Sequence, residues 1–177
     1  VVTVYSTEYA FAAVKSDMSV ECWGSGKYGG SCSGITDVVT VYSTSGGFAA
    51  VKSDKSVECW GNYGSCSGIT DVVTVYSTYW AFAAVKSDMT VECWGSSNNG
   101  GSCSGLTDVV TVYSTYYAFS AVKSDMTVEC WGDSNNGGSC SGITDVVTVY
   151  STERAFAALK SDKSVECWGE YNYHGGS

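Results

Sequence analysis

The chain has 177 residues and a formal net charge of −9 at neutral pH, with 9 Lys and Arg residues against 18 Asp and Glu. Nucleic acid and anionic membrane surfaces are bound by basic faces, so this balance argues against both partners, and no apolar run approaches the roughly 20 residues of a membrane span. Gly is abundant at 21 residues and Pro is absent, which excludes a mucin-like stalk or a polyproline linker.

The sequence consists of five copies of one repeat, which together form a single array over residues 1–177. The copies occupy residues 1–37, 38–71, 72–108, 109–145 and 146–177, and the last copy is truncated. A period of this length is typical of small supersecondary units that cannot bury a core alone and must pack against their neighbours. A feature that recurs in every unit is therefore interpreted as architecture rather than as a catalytic centre.

Three short strands are predicted in each unit. The first is Val-Val-Thr-Val-Tyr-Ser, which is rich in β-branched and aromatic residues. The second is Ala-Phe-Ala-Ala-Val-Lys and the third is Ser/Thr-Val-Glu-Cys-Trp, with Ser-Asp-Met or Ser-Asp-Lys as a tight hairpin turn between them. The Ala-rich stretch is too short for a helix and has strand signals on both sides.

The second and third strands lack a plainly polar face. In the first unit, Val20 and Cys22 share one face of the third strand, and Trp23 lies on the other face. This pattern is typical of a sheet that is covered on both sides, as when small sheets stack on one another. The Ala-Ala pair in the second strand would let neighbouring sheets approach closely.

The nine cysteines occur at equivalent positions of the repeat. Each unit has one in Glu-Cys-Trp-Gly, and the first four units have another in the following loop: Cys22 and Cys32, Cys59 and Cys66, Cys93 and Cys103, Cys130 and Cys140, then Cys167 alone. The sequence favours disulfides within units over reduced buried thiols or metal sites, since it has one His and no Cys-x-x-Cys pair. Disulfides would indicate an oxidising compartment, with the partner of Cys167 outside the sequence.

One motif, Asp-x-Ser/Thr-Val-x-x-Trp-Gly, occurs in every unit. It stands at Asp17–Gly24, Asp54–Gly61, Asp88–Gly95, Asp125–Gly132 and Asp162–Gly169. Together with the strand before it, the motif resembles the repeat of the regulator of chromosome condensation family. The unit length is nearest to that of the bacterial β-lactamase inhibitor proteins of the same superfamily. The resemblance covers essentially the whole chain and implies a β-propeller with blades of three or four strands.

Two features depart from that family. The Gly that usually follows the turn Asp is replaced by Met18, Lys55, Met89, Met126 or Lys163, and the family's propellers usually close with seven blades rather than five. We therefore expect an all-β fold of tandem three-stranded antiparallel units of about 37 residues, stacked as a partial β-propeller or an open superhelical repeat array. The incomplete first and last copies lead us to expect a segment of a longer or processed protein.

No catalytic residue, metal site or cofactor is predicted. The only His, His174, lies in the loop 170–177 and is interpreted as a solvated loop residue rather than as a base or a metal ligand. The carboxylates of Asp17, Glu21 and Asp37 have counterparts in other units, which favours turn and surface roles over glycoside hydrolysis or calcium binding. We accordingly expect a protein that is not an enzyme.

The units differ mainly in two loops, which follow Ser-Thr and Trp-Gly. Aromatic residues in these loops are the predicted binding residues: Tyr9, Tyr79, Trp80, Tyr116, Tyr117, Tyr171 and Tyr173. Those of the third and fourth units would form an exposed aromatic ridge for a protein or a sugar, or would pack against the next unit.

The leading hypothesis is a disulfide-stapled structural or protein-interaction module of a larger extracellular or lumenal assembly, with protein subunits or copies of itself as partners. The alternative is a carbohydrate- or protein-binding propeller, lectin-like or inhibitor-like, that uses the aromatic loops. The family resemblance also implies a nucleotide-exchange factor, but no exchange-specific residues carry over and the cysteine pattern fits a different compartment. Nucleic-acid binding and membrane insertion are not expected.

Overall fold

The computed structural model describes residues 1–62 and 65–170. Within these ranges, five separate three-stranded antiparallel sheets are formed, one in each unit, which confirms the predicted all-β fold. The strands are β1 (Thr3–Ser6), β2 (Ala10–Val14), β3 (Val20–Gly24), β4 (Val38–Ser43), β5 (Gly47–Lys52), β6 (Val57–Gly61), β7 (Val72–Ser77), β8 (Ala81–Lys86), β9 (Val91–Gly95), β10 (Val109–Ser114), β11 (Ala118–Lys123), β12 (Val128–Gly132), β13 (Val146–Ser151), β14 (Ala155–Lys160) and β15 (Val165–Gly169). Short 3-10 turns follow β3, β9 and β12, at Gly26–Tyr28, Ser97–Asn99 and Ser134–Asn136.

The second strand lies in the middle of every sheet, between the first and the third. In the first sheet, Tyr5 pairs with Ala12, and Phe11 pairs with Trp23. The first strands of successive sheets contact one another, from β1 with β4 to β10 with β13. The first strands therefore form the inner edge of the array. The variable residues that follow the first strands lie where these strands end, and this region is called the inner end of the array.

A β-bulge determines which valines of the first strand are buried. Strict alternation would place Val38 and Val41 on opposite faces, because three positions separate them. The pairing register shifts between Val38 and Thr40, and the extra residue brings both valines to one face. Val38 and Val41 are buried, whereas Val39 is exposed. The same shift occurs in β7, β10 and β13.

The core consists of four similar interfaces, in which the front face of one sheet packs on the back face of the preceding sheet. The front face carries Val, Phe and Trp, which are Val112, Phe119 and Trp131 in the fourth sheet. The back face carries small and medium side chains, which are Ala81, Ala83, Val85 and Val91 in the third sheet. Large rings on one side thus meet small side chains on the other, which allows the close approach that the Ala-rich strand predicts.

The hairpin turn between the second and third strands adopts a left-handed conformation without glycine. The residue after the turn Asp has φ between 62° and 70° in all five units: Met18, Lys55, Met89, Met126 and Lys163. The Asp side chain supports the turn, since Oδ1 of Asp17 accepts hydrogen bonds from the backbone N–H of Ser19 at 3.1 Å and from its hydroxyl at 2.7 Å. Local hydrogen bonds of this kind stabilise tight turns.

Four disulfides connect the third strand of a unit to the loop that follows it. They join Cys22 to Cys32, Cys59 to Cys66, Cys93 to Cys103 and Cys130 to Cys140. Cys167 is a free, half-buried thiol. Each bond closes a short loop within one unit, so the disulfides reinforce the units, while apolar packing holds the units together.

Candidate binding surface at the inner end of the array

The inner ends of all five sheets surround one cavity of about 370 Å³. Its wall is made almost entirely of hydroxyl-bearing side chains from equivalent positions: Ser6, Thr7, Ser43, Thr44, Ser45, Ser77, Thr78, Tyr79, Ser114, Thr115, Tyr116 and Thr152. The five units contribute to this wall because their first strands lie side by side. The array thus brings together residues that are up to about 145 positions apart in the sequence.

A repeated Thr holds each of the loops that follow the inner strands. Oγ1 of Thr78 accepts hydrogen bonds from the backbone N–H of Trp80 at 3.4 Å and of Ala81 at 3.0 Å. The same hydroxyl donates to the carbonyl of Asn99 at 3.0 Å, which ties the inner loop to the loop that follows the third strand of the same unit. Thr115 makes the equivalent bonds in the fourth unit, including one to Asn136 at 3.0 Å. The variable pair after Ser-Thr is therefore presented on a fixed backbone.

Backbone hydrogen bonds connect the variable loops of successive units. The N–H of Glu8 donates to Ser45 at 3.2 Å, that of Ser45 to Tyr79 at 3.0 Å, that of Tyr79 to Tyr116 at 2.9 Å, and that of Tyr116 to Glu153 at 2.8 Å. These bonds involve only main-chain atoms, so the side chains at these positions can vary without breaking the connection. This explains why the sequence differs between units at a position that is structurally equivalent in all of them.

Four of the predicted binding residues form one aromatic cluster, which spans the third and fourth units. The ring centroids of Tyr79 and Trp80 are 5.2 Å apart, those of Tyr79 and Tyr116 are 5.9 Å apart, and those of Tyr116 and Tyr117 are 6.2 Å apart. Tyr116 is exposed, and the other three are half-buried. The rings therefore contact the neighbouring unit, and they also present surface to solvent.

Two carboxylates adjoin the aromatic cluster. The hydroxyl of Tyr79 donates to Oε2 of Glu8 at 3.1 Å, although 71 positions separate the residues. This hydrogen bond, followed by burial and the charge of Glu8, raises the pKa of Tyr79. A hydrogen bond to Glu153, followed by its negative charge, likewise raises the pKa of Tyr116. Both phenols therefore stay neutral well above physiological pH, and the cluster is an apolar surface with negative charge at its edges.

The other predicted binding residues lie elsewhere or cannot be placed. Tyr9 is exposed and contacts Tyr28 of its own unit, with ring centroids 4.7 Å apart. The negative charge of Glu8, followed by burial, raises the pKa of Tyr9. Tyr171 and Tyr173 lie outside the described residues, as does His174.

Sequence reasoning missed Glu8, Glu153 and the hydroxyls that line the cavity. The Ser and Thr residues occur in every unit, and the sequence predicted for them only a place in the first strand. Glu8 and Glu153 stand at the same repeat position as Tyr79 and Tyr116, and this equivalence was the signal that could have placed them beside the aromatic rings. Among the described residues, no group of three or more His, Cys, Asp or Glu side chains is arranged to hold a metal ion. The described part of the chain also contains no helix long and apolar enough to cross a membrane.

Comparison of the sequence with protein-family models and with curated proteins gives no match. The structure is similar to the ectodomain of the receptor kinase CR4 from Physcomitrella patens, with a TM-score of 0.63 and 18% identity over 93% of this chain and 51% of that one. It is also similar to the CRINKLY WD40 ectodomain of ACR4 from Arabidopsis thaliana, with a TM-score of 0.62 and 19% identity over 94% of this chain and 70% of that one.

A third similar structure is yeast RCC1, or Prp20, bound to Kap60. Its TM-score is 0.61, with 15% identity over 94% of this chain and 55% of that one. The chain thus spans about half of the length of the moss ectodomain and of yeast RCC1. Identities this low establish a likeness of fold alone. The sheets of this chain are stacked as in an RCC1-like repeat β-propeller.

Proposed function

We propose that this chain is a non-enzymatic structural and protein-interaction module, which binds a protein partner through the aromatic cluster. The single observation that carries the proposal is the continuous cluster of Tyr79, Trp80, Tyr116 and Tyr117, held by a fixed backbone at the inner end of the array. Tyr and Trp are enriched where protein interfaces gain most of their binding energy. Because the loop backbones are already fixed by hydrogen bonds, a partner binds without ordering them.

Similar structures support a protein as the partner. The yeast RCC1 structure contains Kap60, and another structure of Prp20p is described together with its binding to Gsp1p and histones. The two plant relatives are receptor-kinase ectodomains. These structures support a protein as the partner of this chain, with the aromatic cluster as the proposed binding surface.

Charge indicates the chemistry of the partner. Glu8 and Glu153 lie beside the cluster, and the whole chain carries a net charge of −9. A surface of this sign attracts basic partners and repels acidic ones. We infer that the partner presents Lys or Arg side chains, whose alkyl or guanidinium groups also pack well on aromatic rings.

A displayed library of random peptides tests this function. The library is selected in parallel on the wild-type chain and on a variant with all four cluster residues changed to Ala. Val110→Ala is the control, because Val110 is exposed and apolar but belongs neither to the cluster nor to the cavity wall. The expected result is a set of peptides, enriched in Lys and Arg, that binds the wild type and Val110→Ala but not the four-residue variant. Recovery of the same peptides on all three proteins would contradict the proposal.

We propose further that the protein works in an oxidising compartment, either extracellular or in an organelle lumen. The support is that four disulfides occur in a chain of this size, since such bonds persist where thiols are not kept reduced. Peptide mapping of the native protein under non-reducing conditions, after free thiols are blocked, should recover the four disulfide-linked pairs. Detection of nine blocked thiols would overturn this assignment.

A carbohydrate is the second candidate ligand, and the hydroxyl-lined cavity favours it. Ser and Thr hydroxyls exchange hydrogen bonds with sugar hydroxyls, and aromatic faces stack on sugar rings. A glycan array probed with the wild type and the four-residue variant distinguishes this candidate from the first. Binding to defined glycans that is lost in the variant would support the carbohydrate candidate, and a blank array with productive peptide selection would support the protein partner.

A further inference from the structure

We propose that Tyr79 and Tyr116 form a site of oxidative modification, at which one-electron oxidation couples the two phenol rings into a covalent dityrosine cross-link. The oxidant is of the peroxide class, namely hydrogen peroxide acting through a haem peroxidase. The cross-link joins the third unit to the fourth. This modification needs no binding partner, so it goes beyond the proposed function.

The two rings are already in contact across the boundary between the units. Their centroids are 5.9 Å apart and their planes are inclined by 37°, a separation typical of contacting aromatic pairs. The backbone holds the two residues side by side, since the N–H of Tyr79 donates to the carbonyl of Tyr116 at 2.9 Å. Groups that are held together in this way react far more readily than groups that must meet by diffusion. A bond between the rings therefore joins groups that the fold already places next to each other.

Each of the two phenols has its own proton acceptor. The hydroxyl of Tyr79 donates to Oε2 of Glu8 at 3.1 Å, and the hydroxyl of Tyr116 donates to Glu153. A phenol that loses an electron becomes a strong acid, so its oxidation is easiest when a base takes the proton at the same moment. A distance of 3.1 Å is within the reach of a general base. The two carboxylates therefore favour the joint loss of an electron and a proton from both rings.

The coupling balances with one molecule of hydrogen peroxide. Each phenol loses one electron and one proton, and the carboxylates pass the two protons to solvent. The two phenoxyl radicals form a carbon–carbon bond between the ring carbons next to the hydroxyl-bearing carbons. The hydrogen on each newly bonded carbon leaves as a proton, and each phenol oxygen regains one. The peroxide takes up two electrons and two protons and is reduced to two water molecules.

Another tyrosine pair among the described residues provides an internal comparison. The ring centroids of Tyr9 and Tyr28 are 4.7 Å apart, so these rings are closer than those of the proposed site. Nζ of Lys27 lies over the ring of Tyr28, 5.4 Å from its centroid. A cation at this place opposes the removal of an electron from the ring. We therefore expect Tyr79 and Tyr116 to couple faster than this closer pair.

The cross-link would connect parts of the array that the disulfides leave separate. Each of the four disulfides closes a loop within one unit, whereas Tyr79 and Tyr116 belong to different units. A cross-link between distant positions restricts the unfolded chain. Coupling therefore adds a covalent connection to the apolar packing that holds the third and fourth units together.

Treatment of the dilute chain with a haem peroxidase and one equivalent of hydrogen peroxide tests the proposal. All proteins carry Cys167→Ser, so that the free thiol does not consume peroxide. Dityrosine fluorescence reports the rate of coupling, and the monomeric product is isolated by gel filtration. We expect fluorescence to appear in the monomer, because the two rings belong to one chain.

Peptide mapping of the monomeric product locates the bond. Trypsin cleaves after Lys and Arg, so after disulfide reduction Tyr79 lies in peptide 56–86 and Tyr116 lies in peptide 87–123. We expect these peptides to be recovered as one species that is lighter than their sum by two hydrogen atoms. Fragmentation of this species should place the link at Tyr79 and Tyr116.

Two sets of substitutions separate the role of the phenols from that of the carboxylates. Tyr79→Phe and Tyr116→Phe keep the rings, but each should abolish this cross-link. Glu8→Gln combined with Glu153→Gln keeps the hydrogen-bond acceptors and removes the bases, and it should slow coupling at least about 10-fold. Tyr150→Phe is the matched control, since it removes an exposed phenol outside the cluster, and it should couple like the parent. Circular dichroism of each variant establishes that it is folded.

Three outcomes overturn the proposal. They are a parent chain without dityrosine, a cross-link confined to other tyrosines, and a rate of coupling that the Glu→Gln substitutions leave unchanged. A link between Tyr9 and Tyr28 is recognised by its peptides, 1–15 and 28–52. The assay contains no peptide ligand, so its result is independent of the peptide selection that tests the proposed function.

Discussion

The indole Nε1–H of Trp131 donates a hydrogen bond to the carbonyl of Gly100 at 3.1 Å, and this bond links the fourth sheet to the loop that follows the third. Trp60 and Trp168 make the same bond to Gly29 and Gly137, each 31 positions earlier. These glycines adopt φ near +95°, where a side chain is strained. At these three interfaces, a Trp of one unit is therefore bonded to a Gly of the preceding unit.

Gly100→Ala should destabilise the chain by about 2–4 kcal/mol, since it adds backbone strain to overpacking against the next sheet. A Cβ at this position would lie 2.5 Å from Cδ2 of Phe119. Gly105→Ala is the matched control, because Gly105 also has a positive φ, of 71°, but has no atom within 4 Å of the added carbon. It should cost only about 1 kcal/mol. Urea unfolding measures both, and equal losses would contradict a specific clash between sheets.

Ser120→Ala should stabilise the chain by about 1 kcal/mol, because it removes a buried hydroxyl that has no compensating hydrogen bond. Ser120 is fully buried, and its Oγ has no partner within the described structure. The other four units have Ala at this position, which shows that the site accommodates the smaller side chain. Ala83→Ser, at the equivalent position of the third unit, should cost a similar amount. A stable Ala83→Ser variant would indicate that a partner for the hydroxyl exists.

Lys55→Gly should raise the free energy of unfolding by about 0.5–1 kcal/mol, since relief of left-handed strain exceeds the entropy cost of glycine. Lys55 has φ of 64° and is exposed, so little packing is lost. Ser53→Gly in the same turn is the control, because Ser53 has no positive φ. That change should lower stability. A destabilised Lys55→Gly variant would show that the lysine side chain itself stabilises the turn.

The five turn aspartates should make stability fall in acid. The hydrogen bond from the Thr90 hydroxyl, followed by that from its backbone N–H, lowers the pKa of Asp88, and Ser or Thr does the same for the other four. A carboxyl whose pKa is lower in the folded state stabilises it above the ordinary pKa of about 4, and this stabilisation is lost as the pH falls through the lowered value.

Asp88→Asn isolates one of these contributions, because the amide oxygen can still accept the turn hydrogen bonds but does not titrate. Urea unfolding at a series of pH values between about 6 and 2 should show the wild type losing more stability than the variant on acidification. The difference should arise below about pH 4. Parallel curves for the two proteins would mean that Asp88 does not contribute to acid sensitivity.

Local patterns in the sequence predicted the strands, the hairpin turns and the stacking of sheets that are apolar on both sides. They did not predict the bulge that brings Val38 and Val41 to one face, because strict alternation places these residues on opposite faces. Local patterns also did not predict contacts between distant units. The hydrogen bond from Tyr79 to Glu8 depends on how three sheets are arranged around the inner edge, and no local pattern encodes that arrangement.

Isothermal titration of one selected basic peptide tests the central claim, that the aromatic cluster is a protein-binding surface. The wild type, Tyr79→Ala/Tyr116→Ala and Val110→Ala are compared under identical salt conditions. Backbone atoms make the bonds that fix these loops, so the double variant should keep its fold while losing the ring surface. The double variant should bind about 100-fold more weakly, because it lacks two aromatic hot spots, and Val110→Ala should bind as the wild type does. Equal affinities for all three proteins would contradict the central claim.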